Sequence, residues 1–150
     1  MSPPIRVLLA EDHPIVRQGL RALLTVGPNF EVVGETGDGS EVVDLALQLD
    51  PDVVVLDIEL PNRDGLEIIS TLTQKRARVR VLVLSIHDED DYVLQALRCG
   101  ASGYLLKSVD LEELQVAIRA VTSGYRYLST RLSDRAITAS ADPTAKPTRS

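Results

Sequence analysis

Four runs of apolar residues stop at side chains that can do chemistry. Ile5-Arg-Val-Leu-Leu-Ala10 ends in Glu11-Asp12, and Val53-Val-Val-Leu56 ends in Asp57. Val79-Arg-Val-Leu-Val-Leu84 closes on the hydroxyl of Ser85, and Ser102-Gly-Tyr-Leu-Leu106 closes on the ammonium of Lys107. Carboxylates gathered within several ångströms repel, so they either take up protons or hold a cation. Oxygen ligands with no nearby His or Cys cluster favour Mg²⁺, or Mn²⁺, with waters completing an octahedron. Asp12 and Asp57 are the natural direct ligands, and Glu11, pointing to the other side, acts through water or a longer reach. A cation, a hydroxyl and an ammonium around Asp57 form a receptacle for a phosphoryl group carried on that carboxylate. Such transfer needs little beyond positioning and charge stabilisation. Taken singly, each residue has a plainer reading: Asp57 opens a turn, Ser85 caps, Lys107 ends an exposed strand. Five polar groups on one edge are harder to explain that way, provided the fold brings them there.

The elements that must do so alternate regularly. Strand-like runs at 5–10, 30–36, 52–57, 79–85 and 102–107 are separated by stretches with apolar residues at helical spacing. The first helix starts at His13-Pro14, with Asp12 as its cap, and carries Val16, Leu20, Leu23 and Leu24. Ser40 caps the second, which turns Val43, Ala46 and Leu47 to the core. The third carries Leu66, Ile69 and Leu72. In the fourth, the acids Asp88-Glu-Asp-Asp91 precede Val93, Leu94 and Leu97, where the positive end of the helix dipole favours them. Asp110 caps the fifth, with Leu111, Leu114, Ile118 and Val121. Five strand–helix alternations with short connections predict a doubly wound α/β sandwich, a flavodoxin-like (βα)5 fold with parallel strand order 2-1-3-4-5. That order makes strands one and three neighbours, so Glu11, Asp12 and Asp57 emerge together at the carboxyl edge.

With those positions in place, the chain resembles the receiver domain of a bacterial two-component response regulator over roughly residues 5–124. The resemblance rests on Glu11-Asp12-His13-Pro14, the Asp57 loop with Pro61 and Asp64-Gly65, Ser85, and Gly100-Ala-Ser-Gly-Tyr-Leu-Leu-Lys107. Leu9-Ala-Glu-Asp-His-Pro14 and Ser123-Gly-Tyr-Arg-Tyr-Leu-Ser129 are most similar to the NarL/FixJ, LuxR-type subfamily. The resemblance implies that Asp57 is the phosphoacceptor. It also implies that Glu11, Asp12, Asp57 and the backbone carbonyl of Glu59 hold Mg²⁺, and that Ser85 and Lys107 bind phosphoryl oxygens. Ser85 and Tyr104 would form the switch: phosphorylation pulls Ser85 inward and Tyr104 swings from exposed to buried. Glu59 and His87, two residues beyond the acceptor and the switch hydroxyl, would tune the lifetime of the phosphoryl group. Glu11 stands where the family commonly has Asp, which keeps the charge on a longer arm. His13 belongs to the helix start rather than to a phosphoryl-donating role.

Composition bounds the remaining choices. The chain has 150 residues, 44% hydrophobic and 25% charged, with one Phe, four Tyr and no Trp. An aliphatic core follows, and base stacking is not its work. A net charge of −6 argues against a nucleic-acid or anionic-membrane surface. A single Cys99, no signal-peptide pattern and no apolar run of membrane-spanning length predict a cytoplasmic protein. Residues 1–124 are expected to form the receiver, and 125–150 a polar linker or tail. By resemblance, that linker precedes an absent helix-turn-helix domain that would carry any DNA contact and any control of transcription. The expected partners are a sensor histidine kinase and, on phosphorylation, a second copy as homodimer. The protein is read as a signalling module and not an enzyme. The rival readings are a Mg²⁺-dependent phosphatase working through an aspartyl phosphate, which would need a substrate cap, and a stand-alone receiver acting by protein contact. A flavin-binding variant is weaker, because Glu11-Asp12 would repel the ligand phosphate.

Overall fold

The computed structural model describes residues 3–75, 78–107 and 111–129. Its strands are β1 (Ile5–Ala10), β2 (Phe30–Thr36), β3 (Val53–Asp57), β4 (Arg80–Ser85), β5 (Gly103–Leu106) and β6 (Tyr127–Leu128). The helices are α1 (Pro14–Leu24), α2 (Gly39–Leu49), α3 (Gly65–Lys75), α4 (Asp90–Arg98) and α5 (Leu111–Thr122). All strand pairs are parallel, in the order β2-β1-β3-β4-β5-β6. The expected five-strand order is therefore present, with one short strand added at its far edge.

Side chains alternate across the sheet and feed two apolar layers. On one face Leu8, Val54, Leu56, Val81, Val83 and Tyr104 meet α2, α3 and α4 through residues such as Val42, Ile69 and Ala96. On the other, Val7, Leu9, Val55, Leu82 and Leu105 meet Leu24 of α1 and Leu114, Ile118 and Val121 of α5. All five residues of β3 are buried, as a strand covered on both faces requires. That burial makes β3 a rigid post for the carboxylate at its end.

Several local expectations change. Asp12 does not cap α1; His13 holds the N-cap position without a side-chain bond, and Pro14 in the first turn needs no partner for a missing N–H. Asp12 is left free for the site. Asp38, not Ser40, caps α2: its carboxylate accepts from the Ser40 backbone N at 2.9 Å. A carboxylate two residues ahead of the first free amides wins over a hydroxyl already inside the helix. In α1 the predicted stripe is mostly outside. Leu24 is buried, but Val16 and Leu23 are exposed, because α1 packs on β1 and β2 at the edge of the sheet. In α3 Ile68 joins Ile69 and Leu72 in the core, while Leu66 is half-buried. The proposed caps at Asp110 and the tail from 130 onward lie outside the described residues. Residues 125–129, expected as linker, instead return to the sheet as β6, and Ser129 is buried.

One glycine has a direct bearing on the site. A Cβ on Gly65 would lie 2.3 Å from the Ile58 carbonyl oxygen, so only glycine lets α3 begin against the loop that follows Asp57.

Candidate functional site

The topology delivers Glu11 and Asp12 from the end of β1 beside Asp57 at the end of the adjacent β3. One carboxylate oxygen from each, together with a ring nitrogen of His13, lie within 4.8 Å of one another. Glu11 and Asp57 are almost fully buried. Three acids so close need compensation, and Lys107 supplies part of it. Its Nζ lies 2.9 Å from Glu11 Oε1 and donates to Asp57 Oδ2 at 3.1 Å. Burial alone would disfavour the ammonium, but the Glu11 and Asp57 carboxylates outweigh it and hold Lys107 above its ordinary range. Burial likewise opposes ionisation of Glu11, and Lys107 with the backbone and ring of His13 reverse this, leaving its carboxyl below the usual value. Lys107 thus arrives charged and Glu11 arrives as a carboxylate.

The compensation is incomplete. The Lys107–Glu11 approach is an ion pair without hydrogen-bond alignment, and Glu11 Oε1 is buried with no hydrogen bond. Asp12 Oδ1 is in the same condition, 3.2 Å from His13 Nδ1. Buried carboxylate oxygens without an aligned hydrogen bond are what a hard divalent cation takes up, so the residues fit Mg²⁺. The other oxygen of Asp57, Oδ1, takes the Glu59 backbone N–H at 3.0 Å, which fixes the carboxylate plane.

Ser85 ends β4 one position beyond Leu84, the register partner of Asp57. It is fully buried, and its Oγ accepts from the His87 backbone N at 3.0 Å. Tyr104 is fully buried too, and its hydroxyl donates to the His87 carbonyl at 2.7 Å. Burial pushes the Tyr104 hydroxyl up to about 12, with a bond to Ser85 working the other way. Ser85 and Tyr104 therefore meet around the backbone of residue 87, on the core side.

The structure brings Glu11, Asp12, Asp57 and Lys107 together as the spacing predicted. Glu59 and His87 reach the same rim, and they also bond to each other. His87 Nε2 lies 3.0 Å from Glu59 Oε2 and its Nδ1 3.5 Å from Glu89 Oε2, and its ring stacks on Tyr92 at 4.8 Å. The Glu59 bond raises the His87 imidazole above its ordinary value despite some burial. Sequence reasoning named Glu59 and His87 but missed their contact because the two residues lie on different loops, and missed Tyr92 because it reads as one more residue of a helix face. His13 was assigned only to the helix start. It does sit there, but its Nδ1 is also 2.8 Å from Glu11 Oε2, and that bond raises its pKa. An imidazole directly after two acids, in Glu11-Asp12-His13, was the available signal.

The fold and this acidic, cation-competent pocket at a topological switch point define a class, doubly wound α/β proteins that work at the carboxyl edge of the sheet. The comparisons make it particular. The sequence pattern of the response regulator receiver domain matches residues 7–119, and the chain belongs to that family. The transcriptional regulatory protein DegU of Brevibacillus brevis is 39% identical over 89% of this chain and 56% of its own length. The chain thus spans just over half of the curated relative it matches. A two-component response regulator of the LuxR family from Aurantimonas sp. SI85-9A1 superposes with a TM-score of 0.82 at 37% identity, covering 87% of this chain and 94% of that one. The signal receiver domain of the response regulator NarL from Mycobacterium tuberculosis gives 0.79 at 35% identity, covering 82% and 99%. Among the described residues no helix is long and apolar enough to cross a membrane.

Proposed function

We propose that this chain is a phosphorylation-controlled switch in which Asp57 accepts a phosphoryl group from a sensor histidine kinase. The observation that carries the reading is Asp57 itself: a buried carboxylate with one oxygen held by the Glu59 N–H and the other by Lys107, beside two further acids with unfilled oxygens. An Asp57 oxygen attacks phosphorus, the nitrogen–phosphorus bond of the donor phosphohistidine breaks, and the imidazole leaves. Lys107, already within reach of Asp57, stays on the phosphoryl oxygens, and the Ser85 hydroxyl turns toward them. Glu11, Asp12, Asp57 and the Glu59 carbonyl would hold Mg²⁺, with Mn²⁺ as substitute. When bound, the ion neutralises charge on the phosphoryl oxygens and lets them enter a pocket of acids.

A kinase must bring its histidine to the carboxyl edge, and Ile15, 84% exposed next to the acidic cluster, gives it an apolar contact there. The output proposed is control of transcription, in keeping with the regulatory role of DegU. With net charge −6, DNA contact is assigned to a helix-turn-helix domain outside these 150 residues, and pairing of two copies on phosphorylation would match a two-fold DNA site. The phosphatase reading would need an acid or base two residues after Asp57, and it loses support because the carboxylate there, Glu59, is engaged by His87.

Incubation of the chain with acetyl phosphate and Mg²⁺ tests the proposal. One acid-stable, hydroxylamine-labile phosphoryl group per chain is expected, mapped to Asp57 and absent from Asp57→Asn. Repeated turnover of phosphate esters, or labelling that survives in Asp57→Asn, would overturn it.

A further inference from the structure

The segment after α5 closes back onto β5, the strand that carries one switch residue and leads directly into Lys107. Tyr127 N donates to the Ser102 carbonyl at 3.1 Å, and Ser129 N to the Tyr104 carbonyl at 3.0 Å. Ser129 Oγ accepts from Leu106 N at 2.9 Å, and Ser129 is only 4% exposed. The next amide, Lys107 N, donates to the Ser85 carbonyl at 2.8 Å. Consecutive amides leading to the Lys107 side chain are thus gripped from opposite sides, one by Ser129 and one by β4. Gly103 makes the approach possible, since a Cβ there would lie 2.8 Å from the Tyr127 carbonyl oxygen.

Leu128 adds a side-chain contact to this backbone grip. Parallel register places it opposite Tyr104, whose partner on the other side is Val83. Residues in register share a face, and Leu128 packs on the same apolar cluster as Tyr104 and Val83. Flanked in this way, the Tyr104 ring keeps to the side of Ser85 and His87, where its hydroxyl is bonded. Leu128 thus stands between Tyr104 and the sheet edge.

We infer that Leu128 and Ser129 are positioning residues of the phosphoryl site: docked β6 holds Tyr104 buried and fixes the backbone that presents Lys107 to Asp57. The inference rests on Asp57 being the phosphoacceptor. Docking of β6 and loading of Asp57 are then linked, and each strengthens the other by the same factor.

The experiment titrates beryllofluoride with Mg²⁺, a mimic of the acyl phosphate, into the 150-residue chain and into Ser129→Ala, Ser129→Thr and Leu128→Ala. Amide exchange at Leu106 and Ser129 is followed with and without the mimic. Loss of one buried hydrogen bond or its packing partner is expected to weaken the mimic roughly threefold to tenfold in Ser129→Ala and Leu128→Ala. Ser129→Thr, which keeps the acceptor hydroxyl, restores wild-type affinity, and loading slows both amides in the wild type. A merely structural role lowers the melting temperature of the variants but leaves the affinity of the folded chain alone, and that result overturns the inference. Should Ser129→Ala not fold, Leu128→Ala and the wild-type exchange decide, and unchanged exchange on loading overturns it equally. A wild type that does not bind the mimic would instead sink the acceptor reading, whereas equal binding by all chains sinks only the role of β6.

Discussion

Glu59 and His87 occupy neighbouring loops on the rim around Asp57, and their contact at 3.0 Å turns two separate side chains into a clasp. Tyr92 backs the imidazole by stacking, which limits its motion. On the proposed function, a water that hydrolyses an acyl phosphate at Asp57 has to pass this rim. Glu59→Asn removes the charge that holds His87 and is expected to speed autodephosphorylation roughly threefold to tenfold, in proportion to one charge-assisted hydrogen bond. Following loss of label from Asp57 after acetyl phosphate is removed checks this, and unchanged decay would retire the clasp. The clustering of Glu11, Asp12, Asp57 and Lys107 was legible in the sequence because these residues end apolar runs, and run ends share an edge in a parallel sheet. The clasp was not legible. Pairing between two loops depends on side-chain reach across a gap, for which sequence carries no period.

Among the elements, the strand order was readable because alternation and right-handed crossovers leave few choices. Helix starts were not, since several polar residues compete for each cap and a shift of two positions decides which oxygen meets a free amide. Asp38 illustrates the point, with its carboxylate accepting from both the backbone N and the hydroxyl of Ser40. It also takes a bond from Asn62 Nδ2, which ties the start of α2 to the loop beyond β3. The Ser40 hydroxyl, the Ser40 amide and Asn62 all favour the ionised form, so the pKa of Asp38 falls below its ordinary 3.8. A depressed carboxylate contributes stability that is present above the unfolded value and lost as pH falls through the folded one. Asp38→Ala should therefore melt a few degrees below wild type across neutral pH, with the gap closing as pH drops below 3.8. Thermal melts of both chains from pH 7 into the acid range test this, and a gap that does not narrow below pH 3.8 would assign the cap to shape rather than charge. β6 was missed for a related reason, as a two-residue strand is too short to show alternation.

For the molecule as a whole, the acidic pocket sets stability against function. Glu11, Asp12 and Asp57 crowd one end of a chain at net charge −6, and Lys107 pairs with Glu11 and Asp57 but not with Asp12 among the contacts of the described residues. Without a divalent ion the folded state keeps that repulsion and its two unfilled carboxylate oxygens, whereas the unfolded chain separates the charges. Mg²⁺ should therefore raise the melting temperature through binding to the folded state alone. At ten times its dissociation constant the linkage amounts to about 1.4 kcal/mol. For a domain of this size that corresponds to a rise of about 3–6 °C. Asp12→Asn is expected to lose most of the rise. The same substitution should raise the melting temperature of the metal-free chain, because one repelling charge is gone. Chelator-treated melts of wild type and Asp12→Asn, with and without Mg²⁺, separate the two effects. Equal shifts in both chains would mean that the ion acts by general screening and that the three acids do not form a site.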